Sequence, residues 1–328
     1  MLNSLFLCAG GLLLCYFFLG FNYRIDVAKL GTTEDGLHYT TEGQQGRQEH
    51  PEQYQLCDEV FEYAIYQKSA YSCANPVATV VWRNAINLTG WSFLEIETFD
   101  KHDAKLQAYA AGYMEGALTR KLISHHYHNV MSTYCNGREE YCEKLKEFVR
   151  ENQEWTKHFL ATENRSDPYV DAVERVYYQL QGVIDAYEKR PINPRITYEF
   201  HEIVWLNWLG EFYDLSVKFN ASTRNDKIEK CSAMVKLAPD HKDLFFSHVV
   251  WFAYHHMLRV IKLYKFGYDR EKYPGYAVSY TGYPGIINSQ DDFQVTSAKL
   301  AIMETTISLF DASKTVHIKS GANLLVLR

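Results

Sequence analysis

The 328-residue chain predicts an α+β protein, and two patterns carry that prediction. From Lys101 to Phe219 apolar residues recur at the three- and four-residue spacing of helices, whereas Pro76 to Glu97 and Cys231 to Ser308 are rich in β-branched and aromatic residues with partial alternation. A hydrophobic share of 47% suffices to bury a core in one large domain or two smaller ones.

In chain order, no residue from Leu2 to Tyr23 is charged, and Leu5, Phe6, Leu7, Leu12, Leu13, Leu14, Phe17, Phe18 and Leu19 form an apolar block. Residues 1–22 therefore read as an export signal, either cleaved or kept as an anchor, since the uncharged span is long enough to cross a bilayer. Residues 24–55 are polar, with no fold signal, and read as an extended lead-in. The runs Pro76–Trp82 and Trp91–Glu97, joined by turn residues Asn87–Gly90, predict a hairpin. Helices are expected over Lys101 to about Ala161, where Leu106, Tyr109, Ala110, Met114, Leu118 and Leu122 share a face, and from Asp167-Pro168, with proline in the first turn, to Lys189. A further helix is expected from Thr197 to Phe219.

Residues 220–230 have only Ala221 and Ile228 as apolar members and read as an exposed, cleavable linker between a mostly helical fragment, 23–219, and a second fragment, 231–328. In the second fragment, Cys231–Leu237 and Asp243–Trp251 predict two strands across the turn Ala238–His241. Ala253–Phe266 predicts a helix, and Ala277–Ser308 several short strands.

The net charge of -6 supplies no basic stripe, which argues against a nucleic-acid partner. His125, His126 and His128 lack a carboxylate or thiolate at ligand spacing and read as a polar helix surface. His201-Glu202 begins a metalloprotease pattern, but Trp205 stands where the second histidine is required. Neither a G-x-S-x-G elbow nor a Walker loop is present, and no metal or cofactor is implied.

Three sequons, at Asn87, Asn164 and Asn220, follow the leader and are expected to carry glycans. Of the seven cysteines, Cys8 and Cys15 lie in the leader, leaving five. Cys135 and Cys142 close a short loop and are expected to pair in an oxidising lumen, with Cys57 and Cys73 a second candidate pair. Cys231 is left over at the start of a strand, directly after the linker. Taken alone it reads first as a buried strand cysteine. If the Lys230–Cys231 bond is cut, however, the thiol gains an α-amine on its own residue. Such an amine titrates at about 7.7 to 8.0 and can serve as the base that activates the thiol.

The residues around Cys231 resemble a known family. Cys231-Ser-Ala-Met-Val-Lys-Leu-Ala-Pro, Asp243-Leu-Phe-Phe-Ser-His248 with Trp251, Tyr254-His-His-Met-Leu-Arg259, Ser279-Tyr-Thr-Gly-Tyr283-Pro-Gly, Ser289-Gln-Asp-Asp-Phe293 and Met303-Glu-Thr-Thr306 are similar to phospholipase B-like (lamina ancestor-like) proteins, as are Thr89-Gly-Trp-Ser and Leu106-Gln-Ala-Tyr-Ala-Ala-Gly upstream. The resemblance implies an N-terminal nucleophile hydrolase with an αββα sandwich, self-cleaved before Cys231, its two fragments remaining partners. It implies Cys231 as nucleophile lined by His248, Trp251 and Thr306, with a lipid ester or N-acyl amide as substrate, peripheral lipid contact, and secretion or lysosomal residence. A lipid-binding glycoprotein without activity is the alternative. Val249-Val250 departs from the polar residue the family carries after the histidine. The resemblance stops near Phe310, so an incomplete sandwich is expected.

Overall fold

The structure is a computed structural model that describes residues 27–29, 51–58, 63–68, 73–221, 231–305 and 311–322. It is α+β, as the patterns predict. A mixed sheet runs in the order β1-β3-β2-β4-β5-β8-β9-β10-β11: β1 Val27–Lys29, β2 Glu52–Asp58, β3 Tyr63–Lys68, β4 Pro76–Ala85, β5 Trp91–Thr98, β8 Arg259–Lys265, β9 Ala277–Gly282, β10 Phe293–Thr296 and β11 Ala301–Met303. The remaining two strands, β6 Ser232–Leu237 and β7 Leu244–Val249, form a separate hairpin.

Alternation builds the β4–β5 hairpin. Val80 faces Ile96 and Trp82 faces Leu94 across the register, and all four are buried. One helical turn, α1 Ile86–Thr89, links the strands and ends at Gly90 in the left-handed region, φ 80°, whose N–H donates to Ile86 O at 2.8 Å. Glu52–Asp58, of which the sequence assigns residues 52–55 to the end of an extended lead-in with no fold signal, is a strand paired with β4, with Gln53 to Cys57 buried. Its glutamines and tyrosine disguise it as a polar segment.

The long connection after β5 carries a run of helices and then the β6–β7 hairpin before it returns to β8, which pairs with β5 in parallel from Trp91 opposite Arg259 to Glu97 opposite Lys265. The helix expected over Ala253–Phe266 is not formed. A short 3-10 turn, Tyr254–His256, precedes strand β8, where Val260, Lys262, Leu263 and Tyr264 are all buried. A strand covered on both faces loses its alternation and looks like a helix in sequence.

The connection contains α2 Ala104–Met131, α3 Glu139–Thr162, α4 Pro168–Tyr187, α5 Glu202–Asn207 and α6 Phe212–Lys218. Asp103 caps α2 by accepting from Lys105 N at 2.9 Å, and Asp167 caps α4 by accepting from Tyr169 N at 2.8 Å, with Pro168 in the first turn as predicted. The single helix expected from Thr197 to Phe219 is broken into α5 and α6 around a 3-10 turn at Leu209–Glu211. It also starts late. Tyr198 has φ 57° and His201 is extended, its Nδ1 accepting from Ile203 N at 3.1 Å to begin α5.

Helix α2 spans two cores. Met114 and Leu118 pack with the sheet residues Leu56, Val80 and Ile96, while Ile123, Val130 and Met131 belong to an interhelical core with Leu145, Val173 and Trp208. Its approach to α4 is close enough that a Cβ on Gly112 would lie 1.8 Å from Gln179 O, and one on Gly182 2.1 Å from Tyr109 O. Between α2 and β8, the fully buried Lys262 Nζ sits 2.6 Å from Glu115 Oε1 and 2.6 Å from Ile286 O, and the Tyr264 hydroxyl donates to Glu115 as well. Burial lowers the Lys262 ammonium against the opposing pull of Glu115.

Of the three helical histidines read as a surface, His125 and His128 are exposed, but His126 is fully buried, its Nδ1 3.1 Å from Pro284 O. Burial lowers it to about 4. Both expected disulfides are formed, Cys135–Cys142 and Cys57–Cys73. Among the described residues no helix is long and apolar enough to cross a membrane; the uncharged leader lies outside them.

Candidate active site

Cys231 sits immediately before β6, at the open end of the hairpin, half-buried and outside both disulfides. The register places Ser232 opposite Val249 and Ala233 opposite His248, so Cys231, one residue before β6, is a near neighbour of His248 on β7. On β7, Phe246 and His248 share one face and are half-buried, whereas Phe245, Ser247 and Val249 between them are exposed. Phe246 stacks on Phe293, with ring centroids 5.2 Å apart, and thereby ties the hairpin to the first residue of β10.

The residue before Phe293 completes the site. The Cys231 thiol, a ring nitrogen of His248 and a carboxylate oxygen of Asp292 all lie within 4.8 Å of one another. Both ring nitrogens of His248 are shielded from solvent and make no hydrogen bond. Asp292 adopts φ 55°, a left-handed conformation that Asp tolerates better than most residues, and its N–H donates to Ser289 O at 3.1 Å. Its buried neighbour Asp291 anchors the same turn inward, accepting from Arg259 and, at 2.7 Å, from the Tyr283 hydroxyl. Burial and the Asp291 charge hold the Tyr283 phenol well above its ordinary value, so it remains a donor. The Arg259 guanidinium also lies over the Trp91 ring, 4.8 Å from its centroid. Two successive aspartates thus divide the work: one fixes the turn and the other faces the thiol.

Two of the four expected catalytic residues, Cys231 and His248, come together. Trp251 follows the end of β7 and is 56% exposed. Thr306 and the cleavage residue Lys230 lie outside the described residues. Asp292 was not among the sequence candidates, and its one signal was its place in the Ser289–Phe293 stretch. The sequon residues Asn87, Asn164 and Asn220 are all exposed.

A thiol, an imidazole and a carboxylate are the parts from which activated nucleophiles are built, since an imidazole can take a thiol proton and a carboxylate can orient the ring; His248 makes neither hydrogen bond in this arrangement. Fold and site together define an α+β protein with a cysteine-centred site at the mouth of a small hairpin.

The chain belongs to the phospholipase B family, whose profile, described as Phospholipase B, matches residues 78–328. The match continues past Phe310 to Arg328, so the last residues, which the sequence set apart, are part of the family pattern. The chain is 46% identical over 277 residues to a phospholipase B-like 2 protein of Caenorhabditis elegans, covering 83% of this chain and 47% of that one. It is 37% identical over 244 residues to the human phospholipase B-like 2 protein, covering 70% and 41%. A phospholipase B-like protein C of Dictyostelium discoideum is 30% identical over 246 residues, covering 72% and 43%. The chain therefore spans less than half the length of these curated relatives.

Proposed function

We propose that this chain carries the nucleophile half of a lipid acyl hydrolase, with Cys231 as the attacking residue after cleavage of the Lys230–Cys231 bond. The observation that carries this reading is the thiol, imidazole and carboxylate within 4.8 Å of one another, with the thiol on the residue that immediately precedes a strand. Family membership supplies the lipid substrate class.

In cleavage, the Cys231 thiol attacks the Lys230 carbonyl carbon, the C–N bond breaks as the nitrogen takes a proton, and water hydrolyses the resulting thioester. This frees the Lys230 carboxylate and the Cys231 α-amine. In turnover, the thiolate adds to an acyl carbonyl and the ester C–O bond, or the amide C–N bond of an N-acyl substrate, breaks as the leaving group is protonated. Water then releases the fatty acid and returns the thiol. The His248 imidazole and the α-amine are the bases assigned to the thiol proton, and Asp292, within 4.8 Å of the His248 ring, is the group that would accept from the imidazolium once the ring turns toward it. Trp251 and Thr306 are assigned to the acyl-binding wall and to a hydrogen bond at the nucleophile.

The hairpin β6–β7 is taken as the beginning of the second layer of an αββα sandwich, with fragments 23–219 and 231–328 separated by the linker. The two disulfides fit an oxidising compartment, and with the leader and the exposed sequons they support a secreted or lysosomal glycoprotein.

A second reading, a lipid-binding glycoprotein without turnover, is favoured by the apolar side chains left open on the hairpin, among them Val235, Leu237, Leu244 and Phe245. Sequencing fragment N-termini after incubation at mildly acidic pH, alongside fatty-acid release from phospholipid and N-acyl vesicles, separates the two. A fragment beginning at Cys231 with acyl release, both abolished by Cys231→Ala, is the expected result. An uncut chain that binds the vesicles without releasing acid overturns the hydrolase reading in favour of the second.

A further inference from the structure

The same three side chains have the composition of a zinc site. Zinc takes thiolate, imidazole and carboxylate ligands at about 2.0–2.3 Å in a tetrahedron, which sets the ligand atoms roughly 3.3–3.8 Å apart. The Cys231, His248 and Asp292 ligand atoms, all within 4.8 Å of one another, approach that spacing and need only small side-chain rotations to reach it. Each comes from a different segment: the residue before β6, the body of β7, and the turn before β10. Both His248 ring nitrogens are hidden from water and have no hydrogen-bond partner, a costly state for a buried polar group that a metal bond to one of them would relieve. The Phe246–Phe293 stack fixes the distance between the histidine strand and the aspartate turn, so the ligand set is held from outside rather than assembled by the ion.

We propose that Zn2+ binds Cys231, His248 and Asp292 and reversibly caps the thiol. The thiol proton leaves to solvent as the Zn–S bond forms, and the fourth position is filled by water or, in a cleaved chain, by the Cys231 α-amine, which forms a five-membered chelate with its own sulfur. The bound ion ties up both the sulfur and the imidazole and so holds the site in an inactive form. That regulatory consequence rests on Cys231 being the nucleophile, whereas the metal site itself does not.

The test uses the full chain, stripped with chelator, and Co2+ as a spectroscopic stand-in for zinc. One equivalent of Co2+ is expected to give a near-ultraviolet thiolate-to-metal band together with the intense visible bands of four-coordination, and Zn2+ to bleach both. Cys231→Ser removes the thiolate band. His248→Ala and Asp292→Asn each weaken binding by at least about tenfold, the scale of loss seen even for groups that only orient a ligand. Serine is close to cysteine in shape and asparagine tolerates the left-handed backbone at 292, and unchanged circular dichroism shows that the variants fold. Zn2+ is also expected to slow alkylation of Cys231 by at least about tenfold, with chelator restoring the rate. Binding without the thiolate band, or binding that survives Cys231→Ser, identifies an adventitious ion only and overturns the proposal. The hydrolase reading fails separately, since a chain that shows the thiolate band but is never cut at residue 230 keeps the metal site and loses the nucleophile.

Discussion

Phe246 on β7 and Phe293 at the start of β10 stack 5.2 Å apart with their planes 23° from parallel, joining the hairpin to the main sheet beside the candidate site. Replacing Phe246 with Ala is expected to loosen the hairpin while leaving the rest of the fold intact. Amide exchange over residues 232–249 accelerates and exchange over Trp91–Thr98 does not, and cleavage before Cys231 slows by on the order of 10²-fold, the usual cost of a misplaced reacting group. Equal acceleration in both segments contradicts the anchoring role.

Gly112→Ala is expected to cost at least 2 to 3 kcal/mol, on the order seen for overpacked interiors, because its methyl group would enter the Gln179 carbonyl at 1.8 Å. Gly275, with no atom near its virtual Cβ, is the control: Gly275→Ala stays within about 0.5 kcal/mol. Denaturant melts of the two variants decide the matter. Similar midpoints would show that α2 and α4 are free to separate.

The buried Lys262–Glu115 pair predicts a strong asymmetry. Lys262→Met alone strands a buried carboxylate and is expected to destabilise by about 3 to 5 kcal/mol. Lys262→Met combined with Glu115→Leu removes both charges and should recover most of that loss. A double variant as unstable as the single one would show that packing, rather than charge, dominates at this position.

Acid should weaken the fold through two buried histidines. Burial lowers His126 to about 4 and His256 to about 2, the latter also repelled by His126 and His255. Unfolded histidine binds its proton near 6.5, so their contribution is fully present above that pH and declines as pH falls toward the folded values. Between pH 7 and pH 5 His126 alone should remove about 2 kcal/mol. Melts across that range measure the slope, and His126→Gln should flatten it. An unchanged slope in the variant would mean that the imidazole is already charged in the folded protein.

Local rules made part of this molecule legible. The Asp167-Pro168 helix start, the β4–β5 alternation and the two strands around Ala238–His241 all follow from short-range chemistry. Where the partner lay far away, sequence misled. β8 looked helical because its pairing partner β5 lies more than a hundred and fifty residues earlier and because Leu263 is buried as well as Val260, Lys262 and Tyr264, which blurs the alternation. His126 looked like surface because its cover is Pro284, Tyr283 and His256, from beyond the linker. Within the site, Cys231 stood out through its position after a polar linker, but Asp292 did not, since a turn aspartate has an ordinary local explanation and its nearness to the thiol, beside the Phe246–Phe293 contact, is set by residues far apart in sequence.

The parallel seam between β5 and β8 gives a cut at residue 230 an unusual outcome. Seven register pairs from Trp91–Arg259 to Glu97–Lys265 bind what would become two polypeptides into one sheet, so severing the chain leaves them interlocked. What is lost is the way back. An intact chain refolds by itself at any dilution, whereas its severed halves must find one another in a second-order encounter while their apolar strands stand open to aggregation. Such a protein would fold once as a single chain, and its lifetime after cutting would be governed by the rate at which that seam opens.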